Sequence, residues 1–248
     1  MPFNNFKVII PARLNSSRLP NKLLKKIGTK TVLEIVIEKC LQSIPRKNLV
    51  VATPDIKIIQ LCKKIKIDTF LSKSNCLTGT DRVAEYSDKN KYKYYINVQG
   101  DEIFLNPKTI KKVILEIKKN KYEIVNCYNK IIKKEDFYST SVPKVVFNKN
   151  KELIYISRAP IPSNKLKKFI YGNRQVCVYG FSQNALQLFK KNKRKTSLEK
   201  IEDIEILRFL ENKKKVKMIK TTGSEISIDT PKDYELAKKI ILKKLKII

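Results

Sequence analysis

The first half of the chain alternates short apolar runs with segments of helical spacing. The apolar runs at 6–12, 48–53 and 94–98 have the length and β-branched content of buried strands. Apolar residues recur every three or four positions in four other segments: 30–43, 55–65, 79–88 and 107–119. This order predicts an α/β fold of Rossmann-like type, with a mostly parallel sheet and helices on both faces. Thr80 or Asp81 is the candidate N-cap of the third helix.

The pattern becomes less regular after about residue 121. Four extended runs follow one another with irregular links: EIVNCY, KVVF, LIYI and QVCVYGF. A long amphipathic helix is predicted over 197–212, a strand over 216–220, a short β segment over 225–229, and a closing helix over 231–246. No repeat or flexible linker interrupts the chain. The sequence therefore predicts one domain over 1–248 with a β-rich insertion at about 121–182.

Composition narrows the class of protein. The 248 residues are 42% hydrophobic, enough for a core, and no apolar run approaches the ~20 residues that span a bilayer. The N-terminus has none of the parts of a signal peptide. Five cysteines are scattered without a CxxC pair, which argues against a disulfide framework or a zinc site. We therefore expect a cytoplasmic protein that does not span a membrane.

The charge of the chain has two interpretations. A formal net charge of +31 suggests nucleic-acid binding, but lysines are spread along nearly every segment and no nucleic-acid-binding motif appears. We favour a solvated basic surface, and a nucleic-acid-binding module is the alternative from another class. The chain has no histidine, so catalysis by a histidine base is excluded. Because the chain uses lysine so freely, each of the eight arginines is a candidate for a position that requires the planar guanidinium group.

The segment PARLNSSRLPNK, at 11–22, follows the first predicted strand. It therefore lies at the carboxyl edge of the sheet, where open α/β folds bind ligands. Arg13, Arg18, Lys22 and the hydroxyls of Ser16 and Ser17 form a donor set suited to a triphosphate. The segment matches neither a Walker A loop nor GxGxxG. The plainer interpretation is an ordinary polar loop.

Two carboxylates are candidates for binding a metal ion. Asp101, in the segment INVQGDE, follows the strand at 94–98, and Asp229 ends the segment EISID before a proline-initiated helix. Mg²⁺ is commonly bound by one or two carboxylates together with phosphate oxygens. Capping of a turn or helix is the alternative role for each acid.

Further candidates come from two arginines and one acidic row. Arg82 lies in the first turn of a predicted helix and Arg158 in the proline-rich loop SRAPIP; each can bind a carboxylate or phosphate, or form a surface ion pair. Glu199, Glu202 and Glu205 recur every three residues in the helix predicted at 197–212. The simpler interpretation is that these three glutamates lie on a solvated face. The more specific one is that they accept hydrogen bonds from sugar hydroxyls.

These segments, in this order, resemble a known family. PAR-x-x-S-x-R-x-P-x-K, TGTDR, NVQGDE, SRAPIP, LExIExxExLRxL and DTPxD are similar to the motifs of the 3-deoxy-manno-octulosonate cytidylyltransferases, and they extend over nearly the whole chain. The resemblance implies the nucleotide-diphosphosugar transferase fold and a homodimer, with the β-rich insertion contributing to the sugar site and the dimer contact. The implied reaction transfers CMP from CTP to a 3-deoxy-ulosonic acid, most simply Kdo, with release of pyrophosphate for lipopolysaccharide biosynthesis.

The resemblance also implies a role for each matching residue. Asp101 and Asp229 would bind Mg²⁺, and Arg13 and Lys22 would act with them in catalysis. The implied nucleotide site comprises Ala12, Arg13, Ser16, Lys22, Arg82 and Gln99. The implied sugar site comprises Arg158, Gln175, Tyr179 and Glu205. Coordination by the metal lowers the pKa of the attacking anomeric hydroxyl, so the reaction needs no histidine base.

The sequence departs from the family pattern at two expected sugar contacts. The pattern H-x-G-x-Y reads QVCVY, which places Gln175 at the histidine position, and the pattern EQLR reads EILR, which places Ile206 at the glutamine position. A variant sugar, such as 8-amino-Kdo or a nonulosonic acid, is therefore an alternative substrate. An inactive relative that serves as an interaction surface is a further alternative, which the retention of Arg13, Lys22, Asp101 and Asp229 disfavours.

Overall fold

A computed structural model gives the fold and describes residues 5–16, 18–191, 194–223, 228 and 230–245. The strands are β1 (Phe6–Pro11), β2 (Lys26–Ile27), β3 (Lys30–Thr31), β4 (Leu49–Thr53), β5 (Thr69–Leu71), β6 (Tyr94–Val98), β7 (Ile124–Lys130), β8 (Lys144–Phe147), β9 (Leu153–Ser157), β10 (Asn173–Ser182) and β11 (Lys217–Lys220). The helices are α1 (Val32–Leu41), α2 (Ile56–Lys64), α3 (Gly79–Lys89), α4 (Pro107–Lys118), α5 (Lys134–Tyr138), α6 (Gln183–Lys191), α7 (Ser197–Glu202), α8 (Leu207–Glu211) and α9 (Pro231–Leu245).

The main sheet combines a parallel half with an antiparallel addition. Its strand order is β11-β7-β10-β6-β1-β4-β5, and β8 and β9 extend from β10. Strands β6, β1, β4 and β5 are mutually parallel, so their carboxyl ends meet at one edge. Strand β10 runs antiparallel between β6 and β7. The predicted α/β architecture is confirmed, and β7 to β10 come from the section predicted to be β-rich.

Apolar side chains cover both faces of the sheet. In β1, Val8 and Ile10 pack into one cluster, with helices α1, α2 and α4, whereas Ile9 packs into the other, with α3, α6 and α8. Burial on both faces explains why this strand is a continuous apolar run rather than an alternating one. None of the helices in the described ranges is long and apolar enough to cross a membrane.

The prediction of one continuous helix over 197–212 is wrong, because two short helices, α7 and α8, occupy this segment. Asp203 has a φ of 51°, in the left-handed region, and it separates α7 from α8. The N-cap of α3 is Thr78, whose side chain accepts from the N–H of Asp81 in a capping box, rather than Thr80 or Asp81. Helix α6 and strand β5 were not predicted, and most of the β segment expected at 225–229 lies outside the described residues.

A buried cluster of charges joins α3, α7 and α8. The Arg208 guanidinium is fully buried and donates two hydrogen bonds of 2.7 Å to the carboxylate of Glu199, which is also fully buried. A third hydrogen bond, of 2.8 Å, reaches Asp81 in α3. The guanidinium also lies 3.9 Å from the ring centroid of Phe189 in α6. Bidentate pairing compensates for the desolvation of these charges, so the cluster fixes the position of α7 and α8 relative to α3.

Replacement of Arg208 by Met should destabilise the protein strongly. The change leaves Glu199 buried without its bidentate partner, so we expect the free energy of unfolding to fall by about 3–5 kcal/mol. Urea unfolding of Arg208→Met measures this loss. Arg46→Met is the control, because Arg46 bonds only backbone carbonyls at the surface, and a loss in Arg208→Met no larger than in this control would contradict the prediction.

Candidate functional site

A polar cleft of about 730 Å³ opens at the carboxyl ends of β1 and β6 and along β10. The charged side chains that line it are Arg13, Arg18, Lys22, Arg82, Arg158, Arg174, Asp101, Asp203 and Glu205. Six of these are basic and three are acidic, so the cleft suits a ligand with several negative charges. Every predicted site residue that the structure describes lines this cleft. Asp229 lies outside the described residues.

The loop after β1 forms one wall of the cleft. Arg13, Ser16 and Arg18 line it, and Ser17 lies outside the described residues. Two hydrogen bonds anchor the start of the loop: the Leu14 N–H donates to the Asp55 carboxylate at 2.9 Å, and the Ala12 N–H donates to a carbonyl of β4 at 2.9 Å. The Ala12 amide is therefore engaged within the protein. The two arginine side chains remain directed at the cleft.

Lys22 and Asp101 meet at the base of the cleft. They are 79 residues apart in sequence, and the Lys22 ammonium contacts the Asp101 carboxylate directly. Lys22 also donates to the carbonyl of Ile228 at 3.0 Å. Through Lys22, this hydrogen bond places Ile228, the residue before position 229, close to Asp101. Among the described residues there is no group of three or more metal-ligating side chains. Of the two predicted metal ligands, the structure describes Asp101.

The two neighbouring acids of INVQGDE have different surroundings. Asp101 lines the cleft, whereas Glu102 is 2% exposed and accepts a hydrogen bond of 3.2 Å from the N–H of Cys177. The Cys177 carbonyl accepts in turn from the N–H of Gln99 at 3.2 Å. Glu102 therefore ties the end of β6 to β10 and leaves Asp101 as the carboxylate available to a ligand.

Gln99 and Glu205 form a hydrogen-bonded pair. The Gln99 carboxamide donates to Glu205 at 3.1 Å, and the same carboxylate accepts from the N–H of Thr80 at 2.9 Å, in the first turn of α3. Burial raises the pKa of Glu205, and the bonds from Thr80 oppose that shift. The pair is closely packed on Gly79, where a Cβ atom would lie 2.5 Å from the Gln99 nitrogen. The predicted nucleotide residue and the predicted sugar residue are thus in direct contact.

Arg82 and Arg158 are both held in place by the protein. Arg82 is 2% exposed and donates from Nε to the Ser72 hydroxyl at 2.9 Å; burial lowers the pKa of this guanidinium. Arg158 donates to the carbonyls of Glu202, Thr140 and Asp203, and so closes the corner between α7 and α8. Each side chain also borders the cleft, so these arginines are prepositioned charges rather than surface ion pairs.

Neither interpretation of the acidic row at 199, 202 and 205 is right for all three residues. Glu199 is buried against Arg208, and Glu202 accepts from the Ser157 hydroxyl and from the N–H of Arg158. Only Glu205 reaches the cleft. A spacing of three residues suggested one shared face, but the break at Asp203 turns the third acid toward another neighbour.

The two departures from the family pattern have different positions. Gln175 lines the cleft beside Tyr179, whose pKa is raised because its hydroxyl is buried. Ile206 is fully buried in the apolar cluster with Phe181 and Phe209, and it does not line the cleft. In this protein the side chain at position 206 therefore contributes to the apolar core and not to the cleft.

Arg174, Asp203 and the Asp81–Arg208 bond were not anticipated. Arg174 lies next to Gln175 on β10, is 7% exposed, and borders the cleft near Asp136, 3.8 Å away. The rarity of arginine was the available signal for Arg174 and Arg208. Asp81 had a local signal as well, because it follows Thr78 at the spacing of a capping box. No local pattern indicated Asp203.

Comparison with known proteins identifies the family. The profile of a family described as Cytidylyltransferase matches residues 7–216. The 3-deoxy-manno-octulosonate cytidylyltransferase of Thermodesulfovibrio yellowstonii is 34% identical over 249 aligned residues, which cover 94% of this chain and 96% of the relative. The protein of the same name from Rickettsia bellii is 36% identical, with coverage of 96% and 97%.

Solved structures agree with this result. A CMP:2-keto-3-deoxy-manno-octonic acid synthetase complexed with CTP superposes with a TM-score of 0.88 at 25% identity, and covers 97% of this chain and 100% of that one. A putative glucose-1-phosphate thymidylyltransferase from Bacillus anthracis has a TM-score of 0.68 at 15% identity over 95% and 94% of the two chains, which shows the fold alone. Together with the sequence relatives, these matches show that the chain belongs to the 3-deoxy-manno-octulosonate cytidylyltransferases of the cytidylyltransferase family.

Proposed function

We propose that this protein transfers CMP from CTP to the anomeric hydroxyl of Kdo and releases pyrophosphate, for lipopolysaccharide biosynthesis. The observation that carries this proposal is the cleft itself, which six basic and three acidic side chains line, with Asp101 at the carboxyl edge of the sheet. CTP carries its negative charge on the triphosphate and Kdo carries a carboxylate. A cleft of this charge accommodates both substrates together.

The nucleotide half of the site lies along the loop after β1. Arg13, Ser16 and Lys22 would contact the triphosphate, where cationic donors offset the charge that builds on the α-phosphate as pyrophosphate leaves. Arg82, Gln99 and Ala12 also line the cleft and would complete the nucleotide pocket. Because Arg82 is fixed by Ser72, little side-chain entropy is lost when it binds a ligand.

The residues present suit Mg²⁺. Asp101 lies at the strand edge and its carboxylate contacts the Lys22 ammonium, so a positive charge is accommodated at this position. Asp101 and Asp229 would hold the ion together with phosphate oxygens, a typical ligand set for Mg²⁺. When bound, the ion would neutralise phosphate charge and lower the pKa of the anomeric hydroxyl. Lys22 would then turn from Asp101 toward a phosphate.

The sugar half of the site lies along β10 and the α7–α8 corner. Arg158, Gln175 and Tyr179 border this part of the cleft, with Glu205 behind Gln99. An arginine fork is the natural partner for the Kdo carboxylate, and the carboxamide and phenol suit sugar hydroxyls. The strands that build this wall belong to the β-rich section at 121–182, within the single domain that we propose for the chain.

Replacement of Asp101 by Asn should abolish most of the activity. The change removes the charge that would hold the cation, so we expect pyrophosphate release from CTP, Mg²⁺ and Kdo to fall by at least about a hundredfold. The assay compares wild type with Asp101→Asn, and Asp68→Asn is the matched control at an exposed surface acid.

Two results would contradict this proposal. Asp101→Asn could keep activity within threefold of wild type, or wild type could release pyrophosphate as readily with a nonulosonic acid as with Kdo. The first would remove Asp101 from catalysis, and the second would change the sugar.

Replacement of Gly79 by Ala should reduce activity without reducing stability. Alanine suits the first turn of α3, but its Cβ would lie 2.5 Å from the Gln99 nitrogen and displace the Gln99–Glu205 pair. We expect kcat/KM to fall at least about tenfold because a misplaced contact group weakens transition-state binding. Steady-state kinetics and thermal unfolding test this together; unchanged kinetics would contradict it.

We infer that the protein is a cytoplasmic homodimer. Ile132, Leu166 and Ile170 are each more than 70% exposed in the β-rich section, which also contains the packed rings of Phe137 and Phe169. Clusters of exposed apolar side chains of this kind mark protein interfaces. The five cysteines are free thiols, which suits a reducing compartment.

Replacement of Ile170 by Asp should dissociate the dimer. A charge in the apolar interface would lose its hydration on association, so light scattering should give the dimer mass for wild type and the monomer mass for Ile170→Asp. Ile201→Asp is the matched control, since Ile201 is 79% exposed on α7 and Ile170 is 78% exposed. A monomeric wild type would contradict the inference.

A further inference from the structure

A bulge in β10 lies next to the cleft. The pairing of β10 with β7 matches Val176 with Cys127 but Tyr179 with Asn126, so Cys177 and Val178 are extra residues in β10. Bulges interrupt the ladder of backbone hydrogen bonds and redirect side chains, and they are frequent beside active sites. Here the carbonyls of Val176 and Val178 both accept hydrogen bonds from one side chain of the neighbouring strand β7.

That side chain is Asn126, which is fully buried. Its amide nitrogen donates to the Val176 carbonyl at 3.1 Å and to the Val178 carbonyl at 3.0 Å. Both amide hydrogens are therefore used. The opposite orientation would place the amide oxygen against two carbonyl oxygens, so the Asn126 oxygen must point the other way.

The Asn126 oxygen in turn orients Gln175. The Gln175 nitrogen donates to it at 3.0 Å, and an oxygen in that position would face another acceptor. Gln175 is 6% exposed and lines the cleft. Within the described residues, the Gln175 oxygen accepts no hydrogen bond, and because Gln175 lines the cleft, its carboxamide presents this acceptor to the sugar half of the site.

The geometry points to Gln175 as a specificity-determining residue whose carboxamide oxygen accepts a hydrogen bond from a sugar hydroxyl, with Asn126 as the positioning residue that fixes this polarity. The inference rests on the proposed function and goes beyond it, because it states which atom contacts the sugar and which chemical group it selects. A carboxamide is neutral across the physiological pH range, so the contact does not depend on a proton. The arrangement selects a donor at this position and disfavours a sugar that presents an acceptor or an apolar group there.

A double-mutant cycle tests both parts of the inference. The variants are Gln175→Met, Asn126→Leu and the double variant, and the quantities are the KM for Kdo and the KM for CTP in pyrophosphate release. Gln175→Met keeps the length of the side chain and removes its hydrogen bonds, so we expect the KM for Kdo to rise about fivefold to tenfold with the KM for CTP unchanged. Asn126→Leu should raise the KM for Kdo when Gln175 is present and add nothing to Gln175→Met.

Each other outcome overturns part of the inference. An unchanged KM for Kdo in Gln175→Met removes Gln175 from sugar recognition. Additive effects in the double variant make Asn126 a structural residue only. If Asn126→Leu melts more than about 10 °C below wild type, Asn126→Ser, which leaves room for a water beside the two carbonyls, takes its place in the cycle. Wild type is assayed first, so a failure to use Kdo contradicts the proposed function before the variants are compared.

Discussion

The pairing of Arg208 with Glu199 and Asp81 is the interaction on which the catalytic cleft depends. Three charges are removed from water at the junction of α3, α7 and α8, and they are stable there only because each meets a partner at hydrogen-bond distance. The pairing holds the short helices α7 and α8 against the N-terminus of α3. Glu205, between those helices, is thereby brought to the Thr80 N–H and to Gln99.

The cleft is built by joining segments that are distant in sequence. Lys22 contacts Asp101, 79 residues away, and Gln99 contacts Glu205, 106 residues away. Strand β10 makes these contacts compatible, since it pairs with β6 directly beside the acidic turn and carries Gln175 and Tyr179 on the other wall. In the function that we propose, the antiparallel addition to the parallel sheet is what gives the nucleotide-binding edge a second wall for the sugar.

The arginines and the lysines of this basic chain have different surroundings. Arg82 and Arg158 at the cleft and Arg208 in the core each donate to hydrogen-bond acceptors within the protein. Many of the lysines, by contrast, lie exposed along the surface. The charge of the chain is thus compatible with an enzyme of anionic small molecules and needs no nucleic acid to explain it.

The amino-acid sequence determined the alternation of strands and helices, the position of the loop after β1 and of the acidic turn after β6 at one edge of the sheet, and the family. These features are local or depend on motif order, so apolar periodicity and residue types were sufficient. The sequence did not determine the break at Asp203, the burial of Glu199, or the core position of Ile206, because a spacing of three residues assumes a continuous helix. Nor did it determine the orientation of Gln175. That depends on a bulge and on Asn126, 49 residues away, and only the packing of β7 against β10 brings the two amides together.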